Sequence, residues 1–463
     1  MSLLDVSIVN VALPSIQQGL GASSEMTQWV VSGYALAFGL ALVPAGRLGD
    51  TFGRRPMFMI ALAAFVATSA LSGAAPTIGL LIVARVLQGV AGGTLTPQNS
   101  GLIQDLFQGP ERGRAFGVLG ATIGLSTAVG PVVGGLILAA FGGPDGWRWV
   151  FYVNLPIGLA ALVLAARLVP PPRRGRQDHA DLDLVGSLLL GGGVFSLMLP
   201  LVEADAGGPA SLWWLLAAAG VLLAAFAWWE VATVHRGRQP LLDPRLGRTP
   251  GYAAGLSIGL IYFLGFTGIW LVLARFFQTG LGYSPLRSGL SVTPFALGVA
   301  TSAIIAGRLV PRLGRWLTVI GLTAVVLGLT TAALALRYVA GDAAAWVAAG
   351  PFLLGGLGGG MVTSPNITLS LESVPLTMAG VAGGALQTAQ RVGGAIGTAV
   401  LVGVFSIALT GGDYPTAVSD TLLCAAGVML LALAIAVAEL VRRRSHGELT
   451  APAVRPEHQV PSV

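Results

Sequence analysis

Apolar and polar positions alternate along this chain on the scale of whole helices. Fourteen apolar runs, separated by short polar breaks, fall roughly at 1–19, 27–45, 57–74, 77–102, 115–140, 149–169, 184–202, 211–234, 251–276, 287–306, 316–336, 344–369, 379–409 and 418–440. Most reach the ~20 residues with which a helix crosses about 30 Å of hydrocarbon. Strand-type alternation is absent, and an open strand edge has no place in lipid. The pattern therefore predicts fourteen transmembrane helices in an all-α polytopic membrane protein. The first run is anomalous, with Asp5 near its start and Gln17 and Gln18 at its end. Residues 1–16 reach only about 24 Å, so either the first helix is short or, the favoured expectation, the natural start lies upstream of Met1.

Composition agrees. Of 463 residues, 54% are apolar and only 10% charged, with a mean hydropathy of +0.79, whereas soluble domains carry about a quarter charged residues. A soluble enzyme, a secreted disulfide scaffold and a disordered chain are excluded. The 66 glycines suit close helix–helix contact. The single Cys424 lies in an apolar run, which excludes a disulfide or multi-cysteine metal framework. No charged stretch precedes the first run, as it would in a cleavable signal peptide.

All 26 basic residues are Arg. With the N-terminus inside, twenty fall in cytoplasmic segments and four (Arg148, Arg275, Arg287 and Arg337) outside, while Arg85 and Arg391 lie within apolar runs. This asymmetry puts both termini in the cytoplasm and explains the basic balance without nucleic acid. Segments 170–183 and 235–250 read as cytoplasmic linkers flanking two extra helices. The expected organisation is a six-helix bundle over 1–169, linkers and extra helices over 170–250, a second six-helix bundle over 251–440, and a cytoplasmic tail over 441–463.

The two bundles are expected to be a parallel repeat. Shifting residues 32–54 by 261 places them on 293–315 without a gap, with eight of 23 positions identical. The best-matched part sets GRLGDTFGR, Gly46 to Arg54, against GRLVPRLGR, Gly307 to Arg315. Parallel repeats are a transporter signature, with the site at the interface between halves. Convergence of two short Arg-rich loops is the alternative.

Several ordered motifs resemble one family. GRLGDTFGRRP at 46–56 is similar to the loop between helices two and three of the major facilitator superfamily, and LIVARVLQGVAGG at 81–93 to its fourth helix. Gly117, Ser126, Gly130, Pro131, Gly134 and Gly135 resemble the fifth-helix pattern of its antiporters, with Ser126 in place of a glycine. LDVSIVNVALP at 4–14 and WRWVFYVNLPIG at 147–158 resemble the fourteen-helix drug/proton antiporter branch. The resemblance implies a gate latch at Gly46, Asp50, Gly53, Arg54 and Arg55, an antiport-specific conformational role for the fifth helix, and a bacterial cytoplasmic membrane.

The residues carry chemistry of their own. Gly46 and Gly53 permit tight backbone approach, and Asp50 can cap a neighbouring helix N-terminus or pair with Arg114. A purely topogenic loop is the alternative, and Pro311 in the second copy makes any latch asymmetric. Pro131 beside Gly130, Gly134 and Gly135 predicts a kink next to a small-residue face. An ionisable group deep in lipid costs about 2.5–3.5 kcal/mol, so each asks for a reason. Asp5 is the best proton carrier, because burial disfavours the ionised carboxylate. Arg85 is a candidate partner for a carboxylate, for proton coupling or as a structural pair. Glu203, Glu230 and Glu439 sit near span ends, where solvent is expected to reach them, and the four His residues lie in cytoplasmic segments. Cavity candidates are Asn10, Trp29, Tyr34, Gln88, Phe266, Trp270, Gln387 and Arg391, the aromatics being equally compatible with core or lipid contact.

The expected function is a proton-coupled efflux antiporter for amphipathic drugs or secreted metabolites, acting as a monomer by alternating access. No cofactor or metal is required: the proton gradient is the energy source, and no P-loop sequence exists for nucleotide. A narrow metabolite permease is the alternative. A membrane-embedded enzyme is less compatible, since no acid/base or metal constellation clusters near one membrane face.

Overall fold

The computed structural model describes residues 1–171, 183–204, 210–249, 251–339 and 341–445. Among these residues the regular structure is helical, without strands. The helices are α1 Ser2–Leu20, α2 Ser24–Phe52, α3 Arg54–Ala74, α4 Ile78–Leu106, α5 Gly109–Ala140, α6 Trp149–Tyr152, α7 Asn154–Leu168, α8 Leu184–Ala204 and α9 Trp214–His235. The second half has α10 Tyr252–Arg275, α11 Pro285–Leu313, α12 Trp316–Tyr338, α13 Ala344–Leu371, α14 Ala379–Ala408 and α15 Tyr414–Ser445. Most of the first expected linker and the tail beyond Ser445 lie outside the described residues.

Twelve of the described helical segments are long and apolar enough to cross a membrane, two fewer than the apolar runs predict. The two remaining long helices are α1, which carries Asp5 near its start, and α5, whose residues 115–140 carry no charged side chain. Both pack among the spans, α1 on α5 and α2, and α5 on α11 and α13. The sixth apolar run is broken, a single turn of α6 leading into α7 at Asn154.

Local chemistry sets the ends. Ser23, Thr77 and Ser284 side chains accept from the backbone N–H of Met26, Leu80 and Arg287 at 3.2, 3.4 and 3.2 Å, capping α2, α4 and α11. Gly53, with φ +98°, turns α2 into α3, and Gly314, with φ +49° and 261 residues further on, turns α11 into α12. Glycine is the residue that takes such φ values without steric cost.

Packing repeats with the same offset in helix order. Helix α2 packs on α4 as α11 packs on α13, and α3 packs on α4 and α7 as α12 packs on α13 and α15. Helix α1 lies on α5 as α10 lies on α14; across the repeats, α2 meets α14 and α11 meets α5. Helices α8 and α9 pack on each other, with α8 touching α2 and α14.

The end bearing the α2–α3 and α11–α12 turns is called the lower end below. There the two repeats touch backbone to backbone. Gly46 faces Gly380, and Gly307 faces Gly113 and Gly117, so a side chain at any of them would meet the opposing main chain. Further along α5, Gly124 faces Val299 of α11, whereas Gly130 and Gly134 face Ser7 and Ile8 of α1. One helix thus contacts the opposite repeat below and its own repeat above.

Candidate functional site

Asp5 and Arg85, 80 residues apart, form an ion pair with no solvent exposure. Arg85 Nη1 donates to Asp5 Oδ2 at 2.6 Å and to Gln88 Oε1 at 2.7 Å, and Arg85 Nε donates to the Val30 carbonyl at 3.1 Å. The other carboxylate oxygen, Asp5 Oδ1, accepts from Gln88 Nε2 at 3.2 Å and Asn154 Nδ2 at 2.7 Å. Asn154 also donates to Ser69 Oγ at 3.1 Å, and Ser69 donates to the Phe151 carbonyl at 2.9 Å. Three side chains, Arg85 and Gln88 of α4 and Asn154 at the start of α7, therefore converge on the buried carboxylate of α1, and Ser69 of α3 supports Asn154. A buried pair of this kind needs its remaining hydrogen-bond capacity met, because desolvation otherwise exceeds the Coulombic gain. Here Gln88 and Asn154 meet that of Asp5, while Arg85 Nη2 and Asn154 Oδ1 stay without partners.

The cluster opens onto an aromatic–cation stack. The Arg85 guanidinium lies 4.2 Å from the centre of the Tyr34 ring, and the Tyr34 and Phe38 rings are 5.9 Å apart. Arg391, from α14, lies 4.6 Å over Phe38 from the other repeat. Cations are attracted to ring faces, more strongly where water is excluded, so α2 carries two adjacent rings with an arginine at each end.

At the lower end, Asp50 closes the seam between α2 and α14. Its carboxylate accepts from the backbone N–H of Gly380 at 3.0 Å and Val381 at 2.9 Å, capping α14 across the repeat boundary. Arg54 donates to Asp50 at 2.9 and 3.2 Å, to the Gly101 carbonyl at 2.7 Å and to the Leu376 carbonyl at 2.5 Å, and it pairs with Asp105 at 2.6 Å. Of the two partners expected for Asp50, the helix terminus is the one observed; its ion pair is with Arg54, and Arg114 is exposed. The second copy is different. Arg315, at the position of Arg54, donates to Asn366 Oδ1 at 2.7 Å and to the Gly251 carbonyl at 3.3 Å. Burial pulls Arg315 down to about 10, which leaves it charged at neutral pH. Pro311 stands where the first copy has the acid, so the carboxylate cap occurs at one of the two turns.

Other expected residues are scattered. Tyr34 and Gln88 belong to the Asp5–Arg85 cluster. Asn10 is exposed and makes no hydrogen bond within the cluster. Trp29 packs against Leu36, Val194 and Met198 on the α8 side. Phe266 and Trp270 stack with Tyr262 and Phe295 and line a small apolar cavity with Val325 and Phe352, among α10–α13. Gln387 and Arg391 are half-buried one turn apart on α14. Arg55 donates to the Ala166 carbonyl at 2.8 Å. Gly135 faces open space, unlike Gly130 and Gly134, and the Pro131 side chain lies outside the described residues. Glu230 and Glu439 are 2% and 5% exposed, not reached by solvent as expected: Glu439 is clamped by Arg442 and Arg443, and Glu230 accepts from the Leu242 N–H. Sequence reasoning passed over Asn154 and Ser69. The signal for Asn154 was present, an amide inside the apolar stretch VFYVNLPIG.

Long apolar helices around buried charge define an all-helical polytopic membrane protein. Residues 1–398 match the Major Facilitator Superfamily, and the chain belongs to that family. It is a transporter, not an enzyme. It is 37% identical over 422 residues to the probable actinorhodin transporter of Streptomyces coelicolor, covering 91% of this chain and 72% of that protein. It is 40% identical over 407 residues to the puromycin resistance protein pur8 of Streptomyces alboniger, covering 86% and 78%. Among solved structures, the human organic anion transporter MFSD10 superimposes with TM-score 0.67 at 16% identity over 94% of this chain and 96% of that one. The proton:xylose symporter XylE gives 0.64 at 15% identity over 94% and 92%. These structural likenesses concern the fold.

Proposed function

We propose that the protein is a proton-coupled efflux antiporter of the fourteen-helix branch, exporting amphipathic drugs or secreted metabolites from a bacterial cell across its plasma membrane. In this reading α1 and α5 cross the membrane with the twelve apolar spans, both termini are cytoplasmic, and the lower end is the cytoplasmic face. Residues 1–169 and 251–440 act as two bundles that rock around a central site, with α8 and α9 at the periphery, in a monomer. The names of the relatives, an antibiotic transporter and a resistance protein, support export.

The observation that carries the proposal is the Asp5–Arg85 pair. A carboxylate at membrane depth is a functional site by default, and one bound to an arginine has two states. Ionised, Asp5 holds Arg85, Gln88 and Asn154. Protonated, it releases the guanidinium towards Tyr34 and the α2 stack. The lower end is held shut by Asp50 and the glycine contacts, so in this reading Asp5 takes its proton from the opposite, outer side. Rocking then breaks the Asp50–Gly380 contact and delivers that proton inside.

The test uses everted vesicles loaded by a pH gradient, with a panel of acidic, neutral and basic fluorescent dyes. At least one dye should be transported in the native protein, and its transport should collapse with an uncoupler and in Asp5→Asn. Transport insensitive to the uncoupler would refute proton coupling, and transport intact in Asp5→Asn would move the proton site elsewhere.

A further inference from the structure

We propose that Gln387 and Arg391 form an anion-binding subsite in the central cavity, so that the favoured substrates are amphipathic molecules carrying a carboxylate or similarly acidic group. This rests on the transport reading above and names its substrate class.

The geometry of α14 supplies the argument. Positions 380, 383, 384, 387 and 391 lie on one stripe of the helix, spaced three or four residues apart. Gly380 meets Gly46 and Asp50, Gly383 meets Ser100, and Gly384 meets Leu42 and Val43, so below residue 384 the stripe is sealed against α2 and α4. The next two members of the stripe are the first with long polar side chains. Both are half-buried. Arg391 stands twelve residues above the start of α14, about 18 Å along a helix about 45 Å long. The pair therefore stands directly above the seal, in the lower half of α14, with Arg391 meeting Phe38 of the other repeat.

The charge there is uncompensated. Among the described residues no carboxylate pairs with Arg391, and its contact is the face of Phe38. The other arginine at this depth, Arg85, is neutralised by Asp5. A guanidinium stays protonated and offers five donors in a planar fork that fits a carboxylate bidentately. Gln387, half-buried one turn below, places an amide donor on the same stripe of the helix. The Phe38 ring beside the guanidinium offers an apolar surface for the aromatic body of the ligand.

The experiment compares 1-pyrenebutyric acid with its amide, which share one skeleton and differ in charge. Transport in proteoliposomes and equilibrium binding to the purified full chain are both measured for the native protein, Arg391→Gln, Arg391→Lys and Gln387→Leu. The native protein should bind the acid at least tenfold more tightly than the amide. Arg391→Gln should weaken acid binding far more than amide binding and so remove most of that preference, and Arg391→Lys should restore part of it. Gln387→Leu should weaken acid binding several-fold. If neither compound is transported but the preference and its loss in Arg391→Gln remain, the subsite stands and the efflux reading falls. Absence of a preference for the acid, including absence of binding, overturns the proposal, as does an equal loss of both ligands in Arg391→Gln with Arg391→Lys intact.

Discussion

Asp5 serves two purposes that substitution can separate. It is the counter-ion of a fully buried arginine, and it is the group proposed to carry the proton. Asp5→Asn leaves Arg85 as an unpaired charge, and breaking a buried pair from one side typically destabilises by about 3–5 kcal/mol. The double variant Asp5→Asn with Arg85→Gln removes both charges and should recover most of that loss, read as the unfolding temperature in detergent. It should not recover proton-driven transport. Recovery of both would reduce Asp5 to a structural role. Asn154→Ala removes one hydrogen bond to an ionised group, worth about 1.5–3 kcal/mol, while the Asp5–Arg85 contact stays. It should fold, lose several degrees of thermal stability, and slow proton-driven efflux more than it slows downhill dye leakage through the protein.

At the scale of elements, the seam between α2 and α14 depends on one carboxylate at one helix terminus. A side-chain cap contributes about 0.5–2 kcal/mol, and the charge adds about 0.3–1 kcal/mol at the positive end of the helix. Asp50→Ala should therefore shift the balance towards opening of the lower end by roughly tenfold, since 1.4 kcal/mol is one decade. Spin labels at the exposed positions Arg114 and Arg308, on facing helices α5 and α11, should show a longer-distance population. Asp50→Asn keeps an acceptor and should shift less. An unchanged distance distribution in Asp50→Ala would mean that the glycine contacts alone hold the seam. Much of this arrangement was legible beforehand. Glycine and arginine recurring 261 residues apart announced a repeated turn, and Pro311 in place of the acid announced its asymmetry. The ionisable residues in apolar runs pointed to Asp5 and Arg85. What stayed hidden depends on helix rotation and depth. Nothing in the apolar run shows that Asp5 is buried while Asn10 is exposed. Glu230 and Glu439 sit at run ends, where sequence suggests water, yet Glu230 is bound by the segment after α9 and Glu439 by two arginines of its own helix.

For the whole molecule, the charge on the substrate decides how much of the membrane potential export can use. Entry of one proton moves one charge inward, and each charge crossing 100 mV is worth about 2.3 kcal/mol. A departing monocation cancels that charge, and the potential then contributes nothing. A neutral molecule leaves one net charge, equivalent to about fifty-fold of gradient. An anion bound at Arg391 moves two, about 4.6 kcal/mol or roughly two-thousandfold. The anion subsite and one-for-one proton exchange together predict a steep and graded voltage response. In proteoliposomes with a potassium diffusion potential of about 100 mV and equal pH on both sides, 1-pyrenebutyric acid should be driven strongly and its amide moderately. A permanently cationic analogue should not respond. Arg391→Gln should lower the rate for the acid at low concentration without changing its voltage dependence, because the charge carried belongs to the substrate and the proton and not to the arginine. A voltage response equal for acid and amide would show that the acid crosses in its protonated, neutral form. The subsite would then select the anion on binding but not carry it across.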